Sequence, residues 1–170
     1  AAPPEAWNRV RSLTKVKNTE VLETEADESA RQRFMIWQIA WKMWEDHPVF
    51  GVGLGAAPHA NLAYALNRDE WALARRRWNT HNTFLNVLAE TGLPGFILFA
   101  GIFVSTFRQL GKARRAFETT VPEWSTDVRY LEAGLVAFML GAFFGVIHGI
   151  PYLYIYLAVA WLLAATVLHT

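Results

Sequence analysis

Residues 94–110 read PGFILFAGIFVSTFRQL, an apolar run whose first charged residue is Arg108. Two further apolar blocks follow. Block 130–150 contains one acid, Glu132, and block 152–168 contains no charged residue. A helix needs about 17 to 25 residues to cross about 30 Å of hydrocarbon. The three blocks therefore predict three transmembrane helices, and the predicted fold class is an all-α, polytopic integral membrane protein.

The overall composition is also typical of a membrane protein. Of the 170 residues, 53% are hydrophobic and 18% are charged, and the mean hydropathy is +0.14. The 16 Lys and Arg residues are balanced by 15 Asp and Glu residues, so the chain lacks the basic excess expected of a nucleic-acid-binding protein. The chain contains no cysteine, which excludes disulfides, thiolate metal sites and cysteine nucleophiles.

The charges between the blocks predict how the chain crosses the membrane. The segment 108–129 contains five Lys or Arg residues, whereas the turn 148–151 contains none. Short loops rich in Lys and Arg tend to stay in the cytoplasm, so we expect a cytoplasmic loop at 111–129. Residues 1–92 are then expected to form a large helical loop on the outer face, and residues 93–170 the membrane portion.

The outer region shows its first helix signals at Ser29. This residue is a candidate N-cap, and the polar stretch before it lacks periodicity and is predicted to be a loop. Phe34, Trp37, Trp41 and Trp44 then recur at spacings of three and four. Such an aromatic stripe is typical of a helix that lies along the bilayer interface or of one that packs on a core, and the sequence leaves both open.

Glycines and arginines mark two further segments of the outer region. Residues 51–55 have glycine at alternate positions, but no clear strand precedes them and the lysine of a phosphate-binding loop is missing. A tight turn between two helices is the expected role, with contact to a lipid phosphate as the alternative. The run Arg75-Arg76-Arg77 is either a solvated face or a site that attracts anionic headgroups or a pyrophosphate.

The most specific pattern is THNTFLNVLAETGLPG at residues 80–95. His81-Asn82 is followed after nine residues by Gly92 and then by Gly95, directly before the first apolar block. Here the chain resembles the O-antigen ligase and polymerase superfamily of bacterial membrane glycosyltransferases. The signature of that superfamily is the same His-Asn, nine-residue gap and Gly-x-x-Gly.

A second pattern of the same family is an Arg four residues before a Trp, followed by Asp-His-Pro and a glycine-rich turn. The chain matches it with Arg33 and Trp37, with DHP at 46–48 and with the glycines of 51–55. The resemblance covers roughly residues 29–107.

Residues 7–30 are also similar to the exosortase-associated, ligase-like branch of this family. Members of the family usually have more membrane spans than three, so the chain resembles their C-terminal portion.

The resemblance implies transfer of a glycan from an undecaprenyl-pyrophosphate carrier to an acceptor hydroxyl, such as one on lipid A core. It implies an inverting, metal-independent reaction without a cofactor, on the periplasmic face of the bacterial inner membrane, with membrane lipid as a further partner. A repeat-unit polymerase and a protein O-oligosaccharyltransferase are alternatives that differ in the acceptor. An alternative of another class is a non-catalytic membrane assembly or transport subunit, in which His81-Asn82 only caps a helix.

The same resemblance implies roles for individual residues. His81 is expected to accept the proton of the acceptor hydroxyl, because an imidazole titrates near neutral pH. Arg33 is expected to bind the leaving pyrophosphate, and its alternative is an interfacial arginine beside Trp37. Glu90 either binds within the site or pairs with a loop arginine. The remaining candidates are Asn82, Arg31 and Arg76 for substrate binding, Gly92 and Gly95 as structural residues, and no metal ligand.

Overall fold

The computed structural model describes residues 19–75 and 79–168 of the chain. Within those residues every regular element is a helix and no strand occurs, so the predicted all-α class is confirmed for this part of the chain. The helices are α1 Thr19–Asp46, α2 Ala57–Tyr64, α3 Arg68–Ala74, α4 Thr83–Thr120, α5 Pro122–Phe144 and α6 Pro151–Leu168.

The chain divides into two compact units, Ala1–Met35 and Ile36–Thr170. In the first unit, α1 begins at Thr19, so the predicted N-cap at Ser29 is wrong, as is the predicted loop over residues 19–28. The earlier part of that predicted loop, residues 1–18, lies outside the described residues. Four of the ten residues 19–28 are Glu, which favours a helix without needing an apolar stripe, and this explains why periodicity missed it.

The part of α1 that belongs to the second unit buries an aliphatic face. Ile36, Ile39, Ala40 and Met43 are each at most 1% exposed. Trp41 is 48% exposed, so it does not belong to the buried face. The predicted aromatic stripe therefore flanks the core-facing surface and does not form it.

Helices α4, α5 and α6 pack on one another in the second unit. Their contacts form two clusters of buried side chains along α4. One cluster contains Phe103, Leu135, Leu153 and Leu157, and the other contains Leu110, Phe117, Val128 and Ala160.

Of the helices in the described ranges, α4 is the one that is long and apolar enough to cross a membrane. It has 38 residues and includes the predicted span 94–110. Helix α5 carries charges that include Asp127, Arg129 and Glu132, and the apolar stretch Pro151–Ala165 of α6 is shorter than a span. Three membrane-spanning helices therefore stay a prediction.

The predicted loop at 111–129 is helical except at Val121. Helix α4 continues because its polar end is amphipathic: Leu110, Ala113 and Phe117 are buried at spacings of three and four. Two of the charged residues on its other faces, Arg114 and Glu118, form ion pairs along and between the helices. The ion pairs are Arg114 with Glu118 at 3.1 Å, Arg114 with Glu132 at 3.3 Å, and Arg129 with Glu118 at 3.4 Å.

Candidate functional site

His81 and Asn82 lie at the point where α4 begins. Asn82 is the N-cap of α4, and its side-chain oxygen accepts a hydrogen bond from the backbone N–H of Leu85 at 3.0 Å. Asparagine is a favoured N-cap because this bond satisfies one of the free N–H groups of the first turn. The side chain is 7% exposed. Its capping role is therefore visible in the structure, while contact with a substrate stays a prediction.

His81 is held in an unusual backbone conformation and is exposed to solvent. Its φ is +50°, in the left-handed region that residues other than glycine rarely adopt. Both neighbours are buried, and the Thr80 hydroxyl donates to the carbonyl of Asn82 at 2.8 Å. A strained backbone conformation persists only where the surrounding structure enforces it, and residues of this kind cluster at functional sites. The local fold thus presents the His81 imidazole from a fixed backbone.

Trp37 contacts the same segment from α1. Its indole N–H donates to the backbone carbonyl of Thr80 at 2.7 Å, a bond that joins positions 43 residues apart. Trp37 belongs to the second sequence pattern and Thr80 stands directly before His81. The two patterns are therefore joined in space within the second unit.

A second connection joins the two glycine motifs. Residues 48–55, which we call the glycine turn, lie against the point where α4 is kinked at Gly92, whose φ is +68°. Three backbone hydrogen bonds hold them together. They run from Val52 N–H to Ala89 O at 2.9 Å, from Gly53 N–H to Glu90 O at 3.0 Å, and from Leu93 N–H to Pro48 O at 2.8 Å.

The close approach of these backbones explains two of the glycines. A Cβ atom at Gly92 would overlap the backbone of Pro48 and Val49, and one at Gly51 would overlap the backbone of α4 at Glu90. Both glycines also have positive φ values. Gly95 differs, because a Cβ there would meet only the side chain of Thr91 in its own helix.

Glu90 is buried at this junction, with 2% of its surface exposed. One carboxylate oxygen accepts from the N–H of Ala57 at 3.3 Å, at the start of α2, where the helix dipole favours a negative charge. The other oxygen lies 3.9 Å from Nε2 of His148. The described partners of Glu90 are thus a helix N-terminus and a histidine, whereas the sequence had suggested a loop arginine.

Thr83 was not predicted as a site residue, yet it joins α4 to the segment between α5 and α6. Its hydroxyl is fully buried, donates to Gly145 O at 2.8 Å and accepts from Ile147 N–H at 2.8 Å. Thr83 and Glu90 are seven residues apart, so they lie on one face of α4. This face therefore contacts the segment 145–148 twice, through Thr83 and through Glu90. The polar residues at positions 83, 86 and 90 were the signal that could have revealed it.

Two of the predicted arginines belong to the first unit. Arg31 and Arg33 are exposed residues of α1 in the first unit, and Arg76 falls outside the described residues. Of the arginine run, Arg75 is described, with its guanidinium 4.8 Å from the ring centroid of Trp71. Among residues 19–75 and 79–168, no group of three or more His, Asp or Glu side chains is placed to hold a metal ion.

One comparison with known proteins gives a match. A family model described as O-antigen ligase matches residues 4–100, which is more than half of the chain and includes both sequence patterns. No curated protein and no solved structure matches the chain.

Proposed function

The chain belongs to the O-antigen ligase family, a group of membrane-associated glycosyltransferases that includes ligases and polymerases, and from this we propose its reaction. It transfers a glycan from an undecaprenyl-pyrophosphate carrier to an acceptor hydroxyl, such as one on lipid A core, at the periplasmic face of the bacterial inner membrane. The observation that carries the proposal is the exposed His81, held at a φ of +50° between buried neighbours inside the family's pattern.

The proposed chemistry is a single inverting displacement. The acceptor oxygen forms a bond to the anomeric carbon while the bond from that carbon to the pyrophosphate oxygen breaks. The hydroxyl proton passes to the imidazole of His81, and the pyrophosphate leaves with the electron pair. The guanidinium of Arg33 binds the leaving group, because a planar cation can hold two phosphate oxygens at once. Its exposure on α1 supports access to a ligand.

The other candidate residues divide by burial. Arg31 is exposed and is proposed, with Arg76, to add positive charge for the pyrophosphate. Asn82 and Glu90 are buried, and their hydrogen bonds go to Leu85 and Ala57. We therefore assign these two residues to holding the segment that presents the imidazole.

The proposed membrane topology has α4, α5 and α6 as spans, with the basic ends of α4 and α5 in the cytoplasm. Beyond the kink, α4 has apolar side chains that are well exposed, including Ile97 at 58% and Leu98 at 72%. On α5 and α6 the same holds for Phe144 at 68% and Leu162 at 66%. An apolar surface of this extent is expected to be covered by lipid or by other helices.

The acceptor is the point on which the alternatives differ. A repeat-unit polymerase and a protein O-oligosaccharyltransferase would use the same donor chemistry, and both ligases and polymerases belong to the family. The non-catalytic alternative is favoured by one observation, since Asn82 does cap α4. That alternative gives no reason for a strained and exposed His81.

The experiment uses cells that lack the full-length protein and are complemented with wild type, His81→Ala or His59→Ala. His59 is the matched control because it is an exposed histidine on α2 outside the pattern. We expect His81→Ala to lose mature glycan and to accumulate lipid-linked donor, with normal protein abundance in the membrane, while His59→Ala resembles wild type. Undiminished transfer by His81→Ala would refute the proposed role and favour the non-catalytic alternative.

A further inference from the structure

The glycine turn carries three large apolar side chains that point away from the protein. Phe50 is 84% exposed, Leu54 is 80% exposed and Val49 is 52% exposed. Single exposed apolar residues are common on proteins, but three within six residues of one turn form a patch that marks an interaction surface.

The patch is held in place and is not a loose loop. Hydrogen bonds fix the turn from within, from Gly51 N–H to His47 O at 2.9 Å and from Ala56 N–H to Gly53 O at 3.0 Å. The three bonds to the kink of α4 fix it from outside. Exposed apolar side chains on a turn of this kind do not result from poor packing, because hydrogen bonds from Gly51, Val52 and Gly53 hold the backbone beneath them.

The position of the patch along α4 indicates what covers it. The turn is attached at the kink, and the exposed apolar face of α4 begins immediately beyond it with Leu93 at 47% and Ile97 at 58%. Because a helix rises about 1.5 Å per residue, Leu93 and Ile97 lie within about 8 Å of the kink along the axis. The patch therefore lies at the same position along the axis of α4 as the start of the proposed span.

We propose that the glycine turn inserts Phe50 and Leu54 among the phospholipid acyl chains at the outer surface of the membrane. This inference rests on the part of the proposed function that makes α4 a membrane span. Aromatic and aliphatic side chains on the non-polar face of an interfacial element bind at the boundary of headgroups and acyl chains.

Single-cysteine labelling tests this directly, because the chain has no cysteine of its own. Phe50→Cys and Leu54→Cys are made in the full-length protein, with any cysteines outside this chain replaced. Each variant is labelled with an environment-sensitive fluorophore and reconstituted into phosphatidylethanolamine and phosphatidylglycerol vesicles. Leu98→Cys is the control inside the proposed span. Asn79→Cys, an exposed polar position before the motif, is the control in water.

We expect labels at 50 and 54 to be quenched several-fold by nitroxide lipids with a shallow spin label and to be protected from aqueous iodide. The label at 79 should show the reverse. If 98 is in lipid while 50 and 54 behave like 79, the inference fails and the proposed span stands. If 98 also behaves like 79, the span fails, and the inference fails with it. Because Phe50 and Leu54 are more than three-quarters exposed, their replacement leaves the packing of the turn intact.

Discussion

Gly92→Ala is the perturbation that tests most sharply how the two sequence motifs are joined. Gly92 has φ +68° and ψ −170°, a region essentially restricted to glycine. The added Cβ would also overlap the backbone of Pro48 and Val49, which cannot move aside as a side chain can. The substitution therefore strains α4 and displaces the glycine turn at once.

The expected cost follows from these two effects. A residue held in such a backbone region costs about 1–3 kcal/mol. Overpacking a close contact adds about 1–3 kcal/mol, and loss of the hydrogen bond from Leu93 to Pro48 adds about 1 kcal/mol. A total of about 3–7 kcal/mol corresponds to a fall in melting temperature of roughly 6 °C or more for a domain of this size.

The assay is thermal unfolding of the full-length protein in detergent, followed by intrinsic tryptophan fluorescence. Gly101→Ala is the matched control, because Gly101 is a helical glycine of α4 and its Cβ would meet no atom within 4 Å. We expect this control to unfold at or slightly above the wild-type temperature, since alanine favours a helix over glycine by about 0.5–1 kcal/mol. If Gly92→Ala unfolds within 2 °C of wild type, roughly the effect of 1 kcal/mol or less, the interlocking of the motifs is refuted.

Three further predictions concern the contacts around the motif. Thr83→Val keeps the side-chain volume but removes two hydrogen bonds to the segment 145–150. Amide hydrogen exchange in that segment should accelerate at least tenfold, which corresponds to a local loss of about 1.4 kcal/mol. Unchanged exchange would contradict the role of Thr83 in holding this segment. Trp37→Phe should lower glycan transfer several-fold by releasing the carbonyl before the histidine, whereas Trp41→Phe, which loses a bond to an exposed acid, should not; equal effects would count against a link between the two patterns. Glu90→Ala should lower the free energy of unfolding by about 2–4 kcal/mol. Glu90→Gln should lower it by less, because its amide oxygen still accepts the hydrogen bond from the N–H of Ala57. Equal losses of melting temperature in the two variants would show that this hydrogen bond is unimportant.

Apolar content predicted the helices α4, α5 and α6, because long apolar runs must be covered by other side chains or by lipid. The run 94–110 is helical as predicted. The segment predicted as the loop 111–129 is helical except at Val121, because Arg114 and Arg129 pair with acids while Phe117 is buried. Its place in the cytoplasm stays a prediction. Charge alone does not separate a solvated loop from the polar face of an amphipathic helix.

The site was predicted only where residues close in sequence define it. The sequence offered His81-Asn82 as a helix cap in one alternative and Gly92 as a structural residue. The structure has Asn82 as the N-cap of α4 and a kink at Gly92. The polar residues at positions 83, 86 and 90 indicate a polar face on α4, but not the residues 62 and 64 positions away that Thr83 binds. The same is true of the glycine turn, whose glycines indicated a tight turn but not its partner. Arg33 stays a prediction from the family pattern.

We propose that His81 takes part in the transfer step, and a rate measurement on the purified full-length protein tests this claim. Single-turnover transfer from a lipid-linked glycan donor is compared for wild type, His81→Ala and His59→Ala, with donor binding measured separately. Loss of a general base slows a reaction by about 10²–10⁴-fold. We therefore predict a fall of at least 100-fold in the rate for His81→Ala, with donor affinity within a few-fold of wild type and His59→Ala unaffected. A rate within a few-fold of wild type for His81→Ala would contradict the claim.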